Sequence, residues 1–353
     1  MKTIKREIED GIEQCLMRGN VIAIAGPSKC GKTTLLRSLF KKAKEKSAFY
    51  DFGTEDMKNG VIAEIKPCGS SNHLLNLCRL GNFVYGEAAG SGASTVFIDN
   101  FPNDWLYGSC LVECVQRLRR NVRFVIVYNK AVYRKEFLDE HFMAWHEDFI
   151  AKELHPLNYG EILSARDEDC AQWCHERYGD VFSNSKTNDC EGEFVERLKM
   201  HFSEYLIYGG YPEVVGTGSH DEKVRLLQDI CRNSMLSHGE GNEELLKLLA
   251  FRMGVNLRRS PFELDALLLG SNQPLWQKLW DLDQDYMCNG EIANESPSFV
   301  REIHRLQGCA SSVYFYDTGV RNALVGDFRS VEERLFGRPW RLKISGIKDA
   351  IED

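Results

Sequence analysis

The sequence predicts an α/β fold in which helices flank a parallel β-sheet. Strands that are buried on both faces of a parallel sheet read as continuous apolar, β-branched runs. Three such runs are present, namely Val21–Ala25, Ser94–Asp99 and Val122–Asn129. The first run leads into a glycine-containing loop, after which apolar residues from Leu35 to Phe40 recur at helical spacing. A strand, a loop and a helix in this order form the repeating unit of such sheets.

Length and composition limit the classes of protein to consider. A chain of 353 residues, 43% of them hydrophobic, has room for two or three domains with packed cores. A net charge of -8 argues against a general binder of polyanions. The sequence shows no signal peptide and no apolar run near 18 residues, and its twelve cysteines fit free thiols in a reducing compartment. We therefore expect a cytoplasmic protein that does not associate with membranes.

Further elements can be predicted around the three apolar runs. Ile4, Ile8, Ile12 and Leu16 recur every four residues, which predicts an amphipathic helix at the N terminus. The segment Ser47–Asp51 is typical of a further short strand. Both elements fit a sheet with helices on its faces.

The loop after the first strand carries the prediction of nucleotide binding. Residues 26–33 match the pattern G-x-x-x-x-G-K-[ST] in full, which predicts a P-loop that binds the phosphates of ATP through backbone N–H groups and a helix N terminus. Lys32 is expected to reach the β- and γ-phosphates and to act in catalysis, and Thr33 to hold Mg²⁺. Cys30 is either a passive spacer or a redox-sensitive thiol. The residues assigned to nucleotide binding are Gly26, Pro27, Ser28, Lys29, Cys30, Gly31, Lys32, Thr33 and Thr34.

The strand that ends at Asp99 predicts the second part of the site. An apolar strand that ends in an acid is typical of a Walker B segment, whose carboxylate holds Mg²⁺, although a buried strand followed by a helix-capping Asp is the alternative. The next residue is Asn100, where ATPases of this plan usually carry Glu, and an amide can orient water but cannot take its proton. Asn129 ends the next strand and is expected to sense the γ-phosphate. Parallel strands bring Lys32, Asp99 and Asn129 to one edge of the sheet.

Three later segments resemble the signatures of one family. Leu154–Ile162 is similar to L-x-P-L-S-F-x-E-F, Tyr205–Val215 matches Y-L-x-x-G-G-Y-P-E-V, and Val313–Leu324 matches K-x-Y-F-x-D-x-G-L-R-N-A-L. Together with the P-loop they resemble a widespread prokaryotic group of AAA-type P-loop ATPases, which end in a domain of unknown function related to nuclease folds. The resemblance covers about residues 20 to 330.

The resemblance implies four regions and three departures. The regions are an AAA-type nucleotide-binding domain at 1–152, a small helical lid at 153–216, a winged-helix-like domain at 217–304 and a remnant of the nuclease-fold-related domain at 305–353. Asn100 replaces the family's catalytic Glu, and Glu147-Asp148 stand where the family carries Gly-Arg. The C-terminal domain is expected to be truncated, so nuclease activity is not expected.

Two functional hypotheses remain open at this point. The first is a slow or regulated ATPase that couples its nucleotide state to domain rearrangement, with Asn100 or an unidentified nearby acid positioning the water. The second is an inactive, nucleotide-gated module that binds a protein partner, a second copy or DNA. DNA is the less favoured partner, because the third helix of the winged-helix-like region, at 274–286, carries three aspartates that would repel phosphates. A small-molecule kinase is a weaker, third idea.

Overall fold

The computed structural model describes part of the chain and divides it into two compact units, Met1–His155 and Pro156–Asp353. The described residues are 4–16, 21–43, 47–53, 95–101, 115–116, 118–119, 122–128, 149–178, 191–236, 246–247, 250, 288–291 and 312–336. Asn129 and the pair Glu147-Asp148 lie outside them. The boundaries expected at residues 152, 216 and 304 stay predictions.

The first unit is built on a five-stranded, all-parallel sheet with the order β2-β3-β4-β1-β5. This sheet confirms the predicted α/β class with a parallel sheet. Strand β5 was not predicted, because its sequence FIAKE carries two charged residues and lacks a continuous apolar run. Among the described strands it pairs with β1 alone, and a strand at the edge of a sheet needs less apolar surface. The strands are β1 Val21–Ala25, β2 Ser47–Asp51, β3 Thr95–Asp99, β4 Arg123–Val127 and β5 Phe149–Glu153.

Two helices of the first unit pack against the sheet. Helix α1 spans Glu7–Leu16 and helix α2 spans Lys32–Lys42. Ile12 of α1 and Leu36 of α2 are fully buried in one hydrophobic cluster that includes Phe97 of β3. Because the strands are parallel, the loop before α2 lies at the same edge of the sheet as the carboxyl end of β3.

The second unit is mainly helical. Its core contains the fully buried side chains of Val214, Leu227, Leu246 and Ala250. Its elements are α3 Tyr159–Arg166, α4 Glu168–Tyr178, α5 Glu191–Tyr208, α6 Pro212–Val215, α7 His220–Leu236, β6 Cys288–Glu291, β7 Ser312–Phe315, α8 Thr318–Val325 and α9 Val331–Phe336. Strands β6 and β7 form an antiparallel pair.

Parts of the three family-like segments meet inside the second unit. The Leu157 N–H donates to the Gly210 carbonyl at 2.7 Å. A Cβ at Gly210 would lie 1.8 Å from the Leu157 carbonyl oxygen, so the two backbones approach more closely than any side chain allows. The buried Asp317 carboxylate accepts from the Gly210 N–H at 2.7 Å and from the Val320 N–H at 2.9 Å. The segments therefore dock on one another through backbone groups.

The same junction satisfies the last carbonyls of α5, which have no partner within their own helix. The Asn322 side-chain amide donates to the Leu206 and Ile207 carbonyls at 2.9 and 2.8 Å. The Thr318 hydroxyl donates to the Tyr205 carbonyl at 3.0 Å. Helix α8 thus caps the end of α5, which gives these signature residues a structural role.

Most of the expected winged-helix-like region lies outside the described residues, including the helix predicted at 274–286. Leucines at helical spacing also predict a helix over 243–253, of which only 246, 247 and 250 are described, and they are helical. Over the part of the chain that the structure describes, no helix is long and apolar enough to cross a membrane.

Candidate functional site

The loop between β1 and α2 has the backbone geometry of an anion-binding turn. Lys29 and Gly31 adopt positive φ angles of 64° and 101°, which turn successive N–H groups toward one side. A Cβ at Gly26 would lie 2.2 Å from the Leu154 carbonyl oxygen, so only glycine fits there. In the described part of the chain, no side chain caps the N terminus of α2, whose first turn therefore retains donors for an anion.

The Lys32 side chain folds back onto the loop. Its Nζ donates to the Gly26 carbonyl at 2.7 Å and to the Pro27 carbonyl at 2.6 Å. Burial lowers the pKa of Lys32, while the Asp99 carboxylate acts in the opposite direction. The Lys32 ammonium therefore lies within the loop that precedes α2. The N terminus of α2 would face a bound phosphate.

Thr33 and Asp99 meet across the site. The Asp99 carboxylate is fully buried at the end of β3, and the Thr33 side chain nearby lowers its pKa. Asp99 Oδ1 accepts the Asn100 N–H at 2.9 Å, whereas Asp99 Oδ2 has no hydrogen-bond partner among the described residues. Burial raises the pKa of Asp99, and the negative charge of Asp51 adds to the effect. A buried oxygen without a donor indicates a position where a ligand would sit.

The Asn100 side chain is hydrogen-bonded to a neighbouring acid, Asp51. Its backbone has a positive φ of 50°, and its Nδ2 donates to Asp51 Oδ1 at 2.7 Å. The same oxygen accepts the Gly53 N–H at 2.9 Å. Arg37 of α2 lies 3.7 Å from Asp51 Oδ2. Asp51 therefore belongs to the same polar network as the predicted Walker B acid.

Cys30 is packed into the base of the loop. Its side chain is fully buried, and its thiol donates to the Leu154 carbonyl with a sulfur-to-oxygen distance of 3.3 Å. Burial raises the pKa of the thiol, with Lys32 and Arg6 opposing the shift. A buried, protonated thiol reacts slowly with oxidants, so these contacts favour a spacer over a redox sensor.

Arg6 clamps the loop from the N-terminal segment. It is 7% exposed, and its guanidinium donates to the Cys30 carbonyl at 2.9 Å and to the His155 carbonyl at 2.5 Å. One side chain thus connects the P-loop with the last residue of the first unit. The sequence offered no signal for this role, because an arginine near the start of an amphipathic helix is usually exposed.

The structure brings together most of the predicted site residues. Lys32, Thr33 and Asp99 converge at one edge of the sheet, together with Asn100. Ser28, Lys29 and Thr34 are exposed on the loop and on the first turn of α2, whereas Gly26, Pro27 and Cys30 are buried beneath them. Asn129 lies outside the described residues, so its role as a γ-phosphate sensor stays a prediction.

Asp51 is a further residue of the candidate site that sequence reasoning missed. It was predicted as the end of a strand but not as part of the site. A signal was present, because SAFYD and TVFID are both short strands that end in Asp. Strands β2 and β3 pair in register, with Asp51 opposite Asp99.

Comparisons with known proteins define the fold. No protein-family model and no curated protein matches the chain. Among solved structures, it is similar to a Walker-type ATPase of Pyrococcus abyssi, with 12% identity over 91% of this chain and 96% of that one and a TM-score of 0.51. Together with the sheet and the loop, this similarity shows that the first unit has the fold of the Walker-type P-loop ATPases.

Two further structures resemble the chain more weakly. One is a signal transduction ATPase with a tetratricopeptide repeat sensor from Pyrococcus horikoshii, at 16% identity over 94% of this chain and 43% of that one, with a TM-score of 0.35. The other is domain III of the replication initiation protein DnaA of Thermotoga maritima, at 14% identity over 65% and 94%, also with a TM-score of 0.35. Neither carries an argument about function.

Proposed function

We propose that this protein binds ATP·Mg²⁺ through residues 26–34 and Asp99, and that it is a slow or regulated ATPase that couples its nucleotide state to domain rearrangement. The observation that carries the proposal is the buried Asp99 Oδ2, which has no hydrogen-bond partner among the described residues. Such an oxygen is costly to bury unless a ligand completes it.

A magnesium ion fits the residues that are present. Mg²⁺ prefers hard oxygen donors and usually takes only one or two from the protein, the rest coming from water and nucleotide phosphates. The Thr33 hydroxyl and the Asp99 carboxylate supply donors of this kind. Within the described ranges, no group of three or more His, Cys, Asp or Glu side chains could hold a metal. This agrees with a site that a nucleotide has to complete.

Nucleotide binding would change the contacts of the loop. In the present structure the Lys32 ammonium is bound by the Gly26 and Pro27 carbonyls. Phosphate oxygens are stronger acceptors for an ammonium than neutral carbonyls. ATP would therefore draw Lys32 from these carbonyls, and Mg²⁺ would neutralise the Asp99 carboxylate.

The coupling to domain rearrangement is supported by contacts within the first unit. The thiol of Cys30 binds the Leu154 carbonyl, and Arg6 joins the Cys30 and His155 carbonyls. His155 is the last residue before the second unit begins. A shift of the loop on nucleotide binding would thus be transmitted to the segment that connects the two units.

A second candidate is a nucleotide-gated binding module that does not hydrolyse ATP. It is supported by Asn100, because an amide cannot accept the proton of the attacking water. In this role a protein partner or a second copy of the chain is favoured over DNA. The two candidates share the nucleotide site and differ only in turnover.

The test is equilibrium binding of a fluorescent ATP analogue with and without Mg²⁺, alongside single-turnover hydrolysis. We expect Mg²⁺-dependent binding, and Lys32→Ala should weaken it by about 100-fold or more, or about 3 kcal/mol. The control is Lys41→Ala, an exposed lysine on the same helix, which should bind as the unchanged protein does.

Two outcomes separate the candidates, and a lack of specific binding contradicts both. Hydrolysis above the no-protein background supports the ATPase, whereas tight binding without hydrolysis supports the module. If the unchanged protein does not bind the analogue, or if Lys32→Ala binds equally well, the proposal is wrong.

A further inference from the structure

We propose that Asp51 is the general base of this site, which takes the proton of the water that attacks the γ-phosphate. The inference rests on the proposed ATPase function. It supplies the acid that the Walker B strand lacks, because Asn100 follows Asp99 where a carboxylate would otherwise stand. Asn100 then acts as a positioning residue for Asp51.

The sheet places Asp51 beside the magnesium position. Strands β2 and β3 are parallel neighbours in register, and Asp51 pairs with Asp99. Adjacent strands lie about 4.8 Å apart, and paired residues point to the same face of the sheet. On that face Phe97 is buried against α2, the helix that begins with Lys32 and Thr33. Asp51 therefore lies on the side of the sheet where the loop holds the phosphates.

Hydrogen bonds fix the Asp51 carboxylate in this position. Its Oδ1 accepts from Asn100 Nδ2 at 2.7 Å and from the Gly53 N–H at 2.9 Å. Arg37 lies 3.7 Å from its Oδ2 and also covers the Phe49 ring at 5.6 Å. The Asp51 carboxylate is 19% exposed, so it is oriented by neighbours yet reachable by water. This combination is what a general base requires.

A second observation links Asp51 to a ligand. The adjacent Asp99 is fully buried, and its Oδ2 has no hydrogen-bond partner among the described residues. One continuous network joins Asp99 to the Asn100 N–H and the Asn100 side chain to Asp51. The two acids have different contacts, which suits two different roles. Asp99 would bind the cation, and Asp51 would accept the proton of the water.

The chemical step balances with the groups named. The water oxygen forms a bond to the γ-phosphorus, and the bond from that phosphorus to the bridging oxygen breaks. The electron pair of the broken bond stays on the leaving ADP. The proton of the water passes to Asp51 and then to solvent, which yields ADP and inorganic phosphate.

The competing explanation is that Asp51 only caps the turn after β2 through the Gly53 N–H. Asp51→Asn separates the two, because the amide oxygen still accepts that N–H but the side chain cannot take a proton. We expect the single-turnover rate to fall by about 100-fold or more, in the range of general-base effects. Affinity for the fluorescent ATP analogue with Mg²⁺ should change less than about threefold. Asp51→Glu, which restores a carboxylate, should recover part of the rate.

The matched control is Asp10→Asn, an exposed aspartate of the same unit that pairs with Lys5, and it should leave both rate and affinity unchanged. The inference is overturned if Asp51→Asn hydrolyses ATP at the original rate. It is also overturned if rate and affinity fall together and Asp51→Glu recovers neither, or if the unchanged protein binds ATP without hydrolysing it. If the unchanged protein does not bind ATP at all, the proposed function itself is wrong. Failure of the general-base inference can therefore be distinguished from failure of the proposed function.

Discussion

Asp99 in the first unit and Asp317 in the second are both buried, but their carboxylates have different hydrogen-bond partners. Asp99 follows an apolar strand in the first unit and is fully buried, and Asp317 closely follows β7 in the second unit and is 6% exposed. Burial raises the pKa of both carboxyls, that of Asp317 to about 6. Asp317 receives backbone donors on both oxygens, whereas Asp99 Oδ2 has no hydrogen-bond partner among the described residues. Both side chains are carboxyl groups, and the difference between them lies in their hydrogen-bond donors.

The difference separates a structural acid from the acid of the proposed nucleotide site. The donors on Asp317 come from Gly210 and Val320, so its carboxyl group links two family-like segments. Asp99 Oδ1 accepts the Asn100 N–H, and Asp99 Oδ2 is left for a ligand. The later family-like segments therefore contribute to the packing of the second unit, whereas the proposed nucleotide site lies in the first unit.

The largest effect that we predict is on the junction around Asp317. Gly210→Ala places a Cβ 1.8 Å from the Leu157 carbonyl oxygen, and the backbone cannot yield without losing the hydrogen bond between these residues. We expect a loss of at least about 3 kcal/mol of unfolding free energy, measured by urea denaturation. Gly218→Ala, where nothing lies within 4 Å of the added Cβ, should be close to neutral. Equal stability of the two variants would contradict the close backbone contact.

Much of the first unit could be predicted because its local and global signals agree. The strand, loop and helix from Val21 to Lys42 carry apolar runs, loop glycines and helical spacing in the right order. Strand β5 was not predicted because its sequence FIAKE has no apolar periodicity. The position of β5 in the sheet is set by its pairing with β1. In the second unit, the sequence predicts a helix from Glu193 to Tyr208 that ends before two glycines, and helix α5 is observed at Glu191–Tyr208.

The site could be predicted only as far as its motifs extend. Lys32, Thr33 and Asp99 could be predicted as site residues because each stands at a fixed position in a known pattern. Asp51 and Arg6 were not, because their roles depend on which strands are neighbours and on a long-range contact to the loop. Such contacts depend on topology, which a single sequence without an alignment does not contain.

The next prediction tests the structural acid. Asp317→Asn leaves the Gly210 N–H facing an amide group that cannot accept from both donors, so we expect a loss of about 2 kcal/mol at pH 7. The ordinary pKa of the aspartate is 3.8 and its folded value is about 6, so its stabilising contribution is greatest below pH 4 and is lost as pH rises through 6. That change amounts to roughly 3 kcal/mol.

The difference in unfolding free energy between the original protein and Asp317→Asn should therefore shrink as pH rises from 4 to 7. Taking the difference removes the opposite trend of Asp167, whose pKa is lowered by its hydrogen bond with Arg197 and which adds stability as pH rises. Urea denaturation at several pH values measures it. A difference that stays constant or grows would show that Asp317 is not the buried, proton-retaining acid described here.

The smallest effect should have the opposite sign. Asp99→Asn removes a buried charge whose pKa is raised, so at pH 7 it relieves a cost that the ligand-free protein carries. We expect the ligand-free variant to be more stable by about 1 kcal/mol, as is common when a residue kept for function is replaced. The original protein should gain stability on addition of ATP·Mg²⁺, and the variant should gain much less, because it lacks the carboxylate for the cation. Thermal unfolding with and without ATP·Mg²⁺ measures both quantities. If Asp99→Asn is destabilised to the same extent as Asp317→Asn, the two acids share a structural role and the distinction between them fails.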